Sequence, residues 1–539
     1  MAASNTTAAE ARMVYDPSVW GHFFIHFVPE TLQMSEGSMR ERVSQLSKEV
    51  CGLFEACSDN AVHQMNLVDT LQHLGIDHLF EEKIGSTLSR IHGSGFSSSN
   101  LHEAALRFRL LRTHGLWISP DELIRKFRGD DGSFRAEITN DPRGMLSLYN
   151  AAHLLTHGDG ELEEAILCAR HYLESLTSSL KSPLAGQVTR SLKLPLPRTL
   201  KRLEAIHYMS EYTEEQMYNP SILELAKLDF NLLQRLHLKE LKAISKWWKD
   251  VYQEVELNYS RDRVVECFFW SYTVYYEQEY SRARVMLTKI FSLLTLLDDT
   301  YDVHGTLDDC CKLTEALRST VSTLPEYLRK FYLRLLRTFQ EIEDELEPKE
   351  RYRVAYIRKA VQILSENYLQ EADWFHHNCK PTFREQVKVS TVSIGSQIGA
   401  TAVMVGMGDE ATIDAFEWAL RGASAVMSFG QIARFMNDIA SFNSGKSKKD
   451  VVTSVQCYMN EYNVTSEVAM TEIGYLIEDA WKTANQARFD HPDLLPAVQR
   501  VINMIVCMPF IYAGKKDAYT SGKDMKETIE HLFINPIAL

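Results

Sequence analysis

Glycine and proline, the residues that most often interrupt helices, are scarce in this sequence. Its 539 residues include 25 glycines and 15 prolines, both below the usual ~7 and ~5 per cent. Leucine, glutamate, alanine, lysine and arginine, which favour helices, are plentiful along the chain. The composition therefore predicts an all-α protein. Because the length exceeds the roughly 250 to 300 residues at which one core stops growing, we expect two helical domains.

A basic surface and a long apolar run are also missing. The net charge of −14 argues against a nucleic-acid partner, because phosphate backbones call for a positive surface. We find no run of about 18 apolar residues that predicts a membrane span. Residues 1–14 contain neither the apolar stretch of a signal peptide nor an Arg-rich transit sequence. We therefore expect a cytoplasmic protein without a membrane span, and a monomer, since nothing in the sequence requires a partner chain.

Two proline-containing connectors divide the chain. Residues 189–197 form the first, and a helix-like stretch separates it from the second, at Asn219-Pro220. We place the boundary near Thr213, which gives domains of residues 1–212 and 213–539. Within the first domain, Asp141-Pro142 predicts a capped helix that continues to about Leu155, but no catalytic motif is evident there.

An aspartate-rich segment in the second domain predicts a metal site. Asp298, Asp299 and Asp302 close an apolar run that begins near Arg284. Carboxylates four positions apart lie on one face of a helix, so Asp298 and Asp302 are expected to project together, with Asp299 beside them. Magnesium prefers oxygen ligands and is often held by one or two carboxylates and the phosphates of a substrate. The segment thus indicates a phosphate or diphosphate substrate.

Two further motifs contain side chains that could bind a second metal ion or a phosphate beside this metal site. Asn437 and Ser441 are also four residues apart and can offer two neutral oxygens to another metal position. Arg434 lies three residues earlier, and Arg261 and Arg263 form an alternating pair suited to phosphate capture. Taken alone, the segment of Asn437 and Ser441 is equally well interpreted as a polar stripe that faces solvent, and the arginine pair is better interpreted as solvated surface charge.

Together the motifs resemble those of the plant class I terpene synthases, in particular the sesquiterpene cyclases. The resemblance covers essentially the whole chain, because it extends to Asp16-Pro17-Ser18-Val19-Trp20-Gly21, to residues 225–231 and to Trp247-Trp248-Lys249-Asp250. It implies an N-terminal α-barrel-like domain and a C-terminal class I terpenoid synthase helical bundle that alone holds the active site. It also implies a carbon–oxygen lyase that acts on a prenyl diphosphate.

The resemblance implies a role for each metal-site residue. Asp298 and Asp302 match direct ligands of two Mg²⁺ ions, and Asp299 matches a position that supports them from outside. Asn437 and Ser441 match ligands of a third Mg²⁺, with Mn²⁺ as a substitute metal. The expected substrate is the C15 compound farnesyl diphosphate, although a C10 or C20 substrate stays open.

The remaining site residues are also implied by the resemblance. Arg261, Arg263 and Arg434 match arginines that bind the departing diphosphate, and Lys446 and Lys448 lie in the loop that closes over it. The positions that match the lining of the family's cavity are Trp270, Tyr275, Tyr512, Asp517 and Tyr519.

The sequence departs from the family pattern at several positions. Gly445 stands where the downstream motif usually ends in glutamate, so we expect the third metal to lose a carboxylate and to bind more weakly. The paired arginines that often precede the N-terminal tryptophan are missing, which argues against a monoterpene synthase. No Asp-x-Asp-Asp segment in the first domain supplies an acid for protonation-initiated cyclisation.

Two alternatives stay open beside the synthase. A chain-elongating prenyltransferase would show a second Asp-Asp-x-x-Asp in place of the motif at Asn437. A catalytically impaired diphosphate-binding paralogue, disabled at Gly445, is the other alternative. The product itself is not predicted, although a break in the helix pattern at Gly395-Ser396-Gln397 is expected to shape the cavity.

Overall fold

The computed structural model describes residues 15–30, 34–129, 134–135, 140–215, 217–319, 323–444 and 452–539. Within these ranges the regular elements are helices, and extended pairing is limited to an isolated bridge between Arg128 and Phe134. The all-α prediction is confirmed.

Helices follow one another along the whole described part of the chain. The first half contains α1 (Phe23–His26), α2 (Glu36–Ala56), α3 (Ala61–His73), α4 (Glu81–Gly93), α5 (Leu101–Thr113), α6 (Pro120–Ile124), α7 (Pro142–Ala152), α8 (Gly160–Leu176), α9 (Leu184–Lys193) and α10 (Lys201–Glu211). The second half contains α11 (Pro220–Val255), α12 (Val264–Val274), α13 (Ser281–Asp299), α14 (Leu307–Arg318), α15 (Glu326–Glu345), α16 (Arg353–His376), α17 (Phe383–Ser393), α18 (Ser396–Met404), α19 (Ile413–Leu420), α20 (Ser424–Asn443), α21 (Ser454–Tyr462), α22 (Ser466–Asp490), α23 (Leu495–Ile511), α24 (Ala518–Ser521) and α25 (Lys526–Phe533).

Side-chain caps explain where several helices begin. The Asp141 carboxylate accepts a hydrogen bond from the Gly144 amide at 2.9 Å, so α7 starts where the sequence predicts. It ends at Ala152, three residues before the expected end. The connector predicted over residues 189–197 is wrong in its first half, because α9 continues through Lys193 and only the proline-bearing part that follows lies outside it.

The hydrophobic core is continuous across the predicted domain boundary. Helix α11 packs against α1 and α2 of the first half and against α12, α13, α15 and α25 of the second half. One buried apolar cluster includes residues from both halves. The boundary near Thr213 lies in the short segment between α10 and α11, and the division into residues 1–212 and 213–539 stays a prediction.

A group of helices in the second half positions the candidate site. Helices α12 and α13 pack together, α20 packs against α17, α18 and α23, and α23 closes the group against α12. Gly395 separates α17 from α18 with a φ of 96°, a left-handed conformation that glycine adopts without steric cost. The predicted break at this position is confirmed.

One apolar stretch departs from the sequence expectation. Among the described residues, Pro492–Ile511 is long and apolar enough to cross a membrane by length and composition, with a mean hydropathy of 1.7. Within the protein, however, 56% of its apolar window is buried. A core helix passes the same test, so this stretch is weak evidence for a membrane span.

Candidate active site

A cavity in the second half brings most of the predicted site residues together. Helices α13, α16, α18 and α20 contribute to its walls, together with the segment after α23. Its charged and amide side chains are those of Arg261, Asp298, Asp302, Arg434, Asn437 and Asp517, and Thr295 and Ser393 add hydroxyl groups. Its aromatic lining consists of Trp270, Phe291, Tyr368, Phe429, Tyr512 and Tyr519.

Asp298 and Asp302 both line this cavity, but not as two residues of one α-helix. Helix α13 ends at Asp299, and residues Thr300–His304 form a π-helical turn. The Gly305 amide donates to the Thr300 carbonyl at 2.8 Å, five residues back, as this geometry requires. The expectation of a regular helical face is therefore wrong, although both carboxylates reach the same cavity.

Asp299 points away from the cavity and fixes Arg261. Its side chain is fully buried, and its Oδ2 accepts hydrogen bonds from the Ser260 hydroxyl at 2.8 Å and from the Arg261 amide at 2.8 Å. Arg261 Nε donates to the same oxygen at 3.2 Å, while its Nη2 donates to Asp298 at 2.5 Å. Burial disfavours the charge on Arg261, but the carboxylates of Asp299 and Asp298 outweigh it and hold the pKa above its usual range.

Arg263 does not line the cavity. Its guanidinium donates to the backbone carbonyls of Thr520 at 2.7 Å, Asp262 at 2.7 Å and Asp16 at 2.8 Å. These bonds tie residues near the start of the described chain to the segment after α23. In this structure Arg263 therefore holds two segments in place, and its role in binding a diphosphate stays a prediction.

The second motif places Arg434 and Asn437 in the cavity lining on α20. Arg434 Nη1 donates to Asn437 Oδ1 and to Asp438 Oδ1, each at 3.3 Å. Asp438 turns its other oxygen to the Ser454 amide at 2.7 Å. Ser441 is half-buried one turn later and is not part of the cavity lining.

Three of the predicted aromatic residues line the cavity and one does not. Trp270 packs against Phe291 and Tyr519, with ring centroids 5.0 and 6.1 Å apart. Tyr512 also lines it, and burial raises the pKa of its hydroxyl. Tyr275 follows α12 as a packing residue, because its hydroxyl donates to the Val403 carbonyl at 2.6 Å and its side chain is fully buried. The expectation that Tyr275 lines the cavity is not met.

Asp517 combines two structural roles. It lines the cavity, and its carboxylate accepts a hydrogen bond from the Thr520 amide at 2.9 Å, which caps α24. Lys446, Lys448 and Gly445, which the sequence places in a closing loop, lie outside the described residues.

Comparison with known proteins identifies the family. Residues 19–192 match the N-terminal domain of terpene synthases, and residues 249–483 match the metal binding domain of the terpene synthase family. A tau-cadinol synthase of Zea mays is 54% identical, and the match covers 100% of both chains. The chain belongs to the terpene synthase family.

This terpene synthase is also similar to a second maize enzyme and to solved structures of two other terpene synthases. An alpha-copaene synthase of Zea mays is 49% identical over 97% of this chain and 99% of that protein. Among solved structures, limonene synthase with 2-fluorolinalyl diphosphate has a TM-score of 0.89 at 28% identity, covering 97% of this chain and 99% of the other. Isoprene synthase from grey poplar leaves, in complex with three Mg²⁺ ions and dimethylallyl-S-thiolodiphosphate, has a TM-score of 0.84 at 29% identity, covering 93% and 98%. Terpene synthases are lyases that bind prenyl diphosphates and use a divalent metal.

The structure of this terpene synthase also contains a buried carboxyl beside the site, that of Glu371, which no sequence motif predicts. Glu371 lies on α16 and is 4% exposed, and its Oε1 has no hydrogen-bond partner. Burial raises the pKa of this carboxyl to about 7, although the nearby Arg434 lowers it. Tyr368, one turn earlier, lines the cavity, and burial together with Asp298 raises its pKa well above the usual value. Neither residue belongs to a recognisable motif, so only the folded chain shows them.

The donors around this cavity fit a magnesium site. Asp298 and Asp302 supply carboxylates, and Asn437 supplies an amide oxygen. These are the hard oxygen ligands that magnesium prefers. Among the described residues no three His, Cys, Asp or Glu side chains are clustered as a complete metal cage. The protein thus leaves coordination positions to be filled by the oxygens of a substrate or water.

Proposed function

We propose that this terpene synthase is a sesquiterpene synthase. It would ionise farnesyl diphosphate in a magnesium-dependent reaction, cyclise or rearrange the resulting carbocation, and release diphosphate and a C15 terpene. The observation that carries this proposal is one cavity in which carboxylates and arginines share a polar lining with an apolar aromatic wall.

The polar lining suits the departure of a diphosphate group. Arg261 is 6% exposed and held by Asp299, so its guanidinium is oriented before substrate arrives. Arg434 lines the same cavity from α20, and both arginines offer several donors to phosphate oxygens. Bound Mg²⁺, which we expect as three ions with Mn²⁺ as a substitute, would stabilise the negative charge that develops on the leaving group.

The aromatic wall suits the cation that remains. An aromatic face attracts a cation by roughly 0.5 to 2 kcal/mol without supplying a strong nucleophile. Trp270, Phe291 and Phe429 present such side chains to the cavity. An apolar lining also keeps water from capturing the cation early.

The C15 substrate is supported by the similarity to tau-cadinol synthase, at 54% identity, and to alpha-copaene synthase, at 49%. The similarity to limonene synthase is lower, at 28%, so a monoterpene synthase is less favoured. An impaired diphosphate-binding paralogue is less favoured because Arg261, Asp298 and Asp302 all line the cavity. The roles of Lys446, Lys448 and Ser441, the cytoplasmic location and the monomeric state stay predictions.

The test is incubation of the purified protein with farnesyl diphosphate, followed by gas chromatography and mass spectrometry of a solvent extract. We expect a C15 hydrocarbon or alcohol with magnesium, none with EDTA, and a loss of product in Asp302→Asn. Geranyl and geranylgeranyl diphosphates serve as matched substrates. If only geranyl diphosphate gives a product, the protein is a monoterpene synthase and the proposal is wrong. If the protein binds these diphosphates but converts none of the three, it is the impaired paralogue. Gly445→Glu would then be the variant to test for restored activity.

A further inference from the structure

The hydroxyl group of Tyr519 is hydrogen-bonded to side chains of two helices, and one of these partners, Thr295, also lines the cavity. Tyr519 lines the cavity, yet its oxygen lies 2.5 Å from Thr295 Oγ1 and 3.3 Å from Cys267 Sγ. Cys267 on α12 is 1% exposed and Thr295 on α13 is 7% exposed. The phenol oxygen is therefore engaged between two packed helices.

The direction of these hydrogen bonds follows from the available donors. Thr295 has one hydroxyl proton, which it donates to the Phe291 carbonyl at 3.0 Å. Its oxygen then accepts the proton of Tyr519, which fits the short 2.5 Å separation. The Cys267 thiol donates in turn to the Tyr519 oxygen. Burial raises the pKa of Cys267 to about 11, so the thiol keeps the proton that it donates at neutral pH.

Two neighbours hold the Tyr519 ring in the same position. The Arg261 guanidinium carbon lies 5.5 Å from the ring centroid, and the Trp270 ring meets it at an interplanar angle of 68°. The oxygen is thus fixed at one end of the side chain, while the ring is fixed between a charged group and an aromatic one.

We propose that Thr295 and Cys267 are positioning residues that help to determine the product, because their hydrogen bonds occupy the proton and a lone pair of the Tyr519 hydroxyl and so keep its oxygen from acting as a base. A cation in the cavity then meets a π face rather than a basic oxygen. This inference rests on the proposed function, since it concerns which terpene the site releases.

The chemical consequence appears when the hydroxyl is freed. An oxygen lone pair that faces a carbocation accepts a proton from the carbon next to the charge. The C–H bond breaks, its electron pair becomes a new C=C bond, and the proton passes to the diphosphate released in the ionisation step. The cation is then lost as an olefin before later cyclisation steps.

Thr295→Val tests this directly, because valine keeps the shape and removes the acceptor. We expect at least a twofold rise in the fraction of olefins formed by early deprotonation. Thr295→Ser should restore the wild-type profile. In Thr295→Val/Tyr519→Phe the rise should disappear, because no hydroxyl remains to be freed. The matched control is Thr288→Val, which removes a buried hydroxyl on the same helix that donates to the Arg284 carbonyl at 2.8 Å.

An unchanged profile in Thr295→Val, or a rise that persists in the double variant, would overturn the inference. A second measurement needs no turnover. The losses in melting temperature of Thr295→Val and Tyr519→Phe should be non-additive, with the double variant losing less than the sum, because each single change leaves a buried polar partner. Additive losses would also overturn it, even if farnesyl diphosphate proved not to be the substrate. Failure of the proposed function alone would instead appear as absence of product from the wild type with non-additive melting temperatures.

Discussion

Replacement of Asp299 by asparagine is expected to destabilise the protein more than the same change at its neighbour Asp298. Asp299 is fully buried, whereas the Asp298 side chain is 27% exposed at the cavity. Both carboxylates contact Arg261, but Asp299 Oδ2 alone accepts three hydrogen bonds. The two variants have the same chemistry and differ in burial.

The magnitude follows from the contacts of Asp299. Arg261 Nη2 lies 3.0 Å from Asp299 Oδ1 in an ion pair without hydrogen-bond alignment. Removal of one partner from a buried ion pair costs about 3 to 5 kcal/mol. Arg261 keeps its contact with Asp298 at 2.5 Å, so we expect the lower end, about 3 kcal/mol, for Asp299→Asn. For Asp298→Asn, partly exposed, we expect about 1 kcal/mol or less.

Urea unfolding followed by circular dichroism measures the free energy of unfolding of both variants, and steady-state kinetics measures their activity. We expect Asp298→Asn to remain nearly as stable as wild type while losing most of its activity, because it removes a predicted metal ligand. Asp299→Asn should unfold at a lower urea concentration than Asp298→Asn. If Asp299→Asn unfolds at the wild-type urea concentration, or if Asp298→Asn is the less stable of the two, it is wrong to assign a structural role to Asp299 and a metal-binding role to Asp298.

Three further predictions follow from buried groups. Glu266 has no hydrogen-bond partner, and burial raises its pKa from 4.5 to about 7. Because the folded state keeps this proton to higher pH than the unfolded state does, the free energy of unfolding should fall by about 3 kcal/mol as the pH rises from 4.5 to about 7. In Glu266→Gln this part of the pH profile of stability should be flatter. Arg263→Ala removes the bonds to the segment after α23, so limited proteolysis should cut residues 512–525 faster than in wild type, and an unchanged rate would contradict this role. Gly430→Ala places a Cβ 2.4 Å from a backbone carbonyl oxygen of α17 and should lower the free energy of unfolding by about 1 to 3 kcal/mol. Gly474→Ala, with open space around its Cβ, is the matched control and should leave stability equal or higher.

Local chemistry explains which parts of the fold were predictable. The start of α7 depends on an aspartate cap and the following proline, both written in consecutive residues, and Gly395 supplies its own left-handed break. In the same way, the spacing of Asp298 and Asp302 indicated two carboxylates in one cavity. It did not indicate the π-helical turn between them, because both helix types bring such residues near each other.

The rest of the site depends on partners that are distant in sequence. Arg263 looked like a phosphate ligand, yet its donors are taken by carbonyls at Asp16 and Thr520. Tyr275 looked like a cavity residue, yet its hydroxyl is taken by Val403. Glu371 belongs to no motif and lies beside the site only because α16 packs against α17 and α18. No pattern within one segment contains these pairings, so the sequence alone could not assign them.

The aromatic and polar wall formed by Tyr512, Asp517 and Tyr519 has a consequence for biosynthesis. These residues follow Asp298 and Asp302 along the chain, so the ribosome makes them later. A nascent chain that has already folded α13 still lacks one side of its cavity and cannot shield a carbocation from water. A chain truncated after α23 would therefore keep the carboxylates of Asp298 and Asp302 but lack the wall that Tyr512, Asp517 and Tyr519 form.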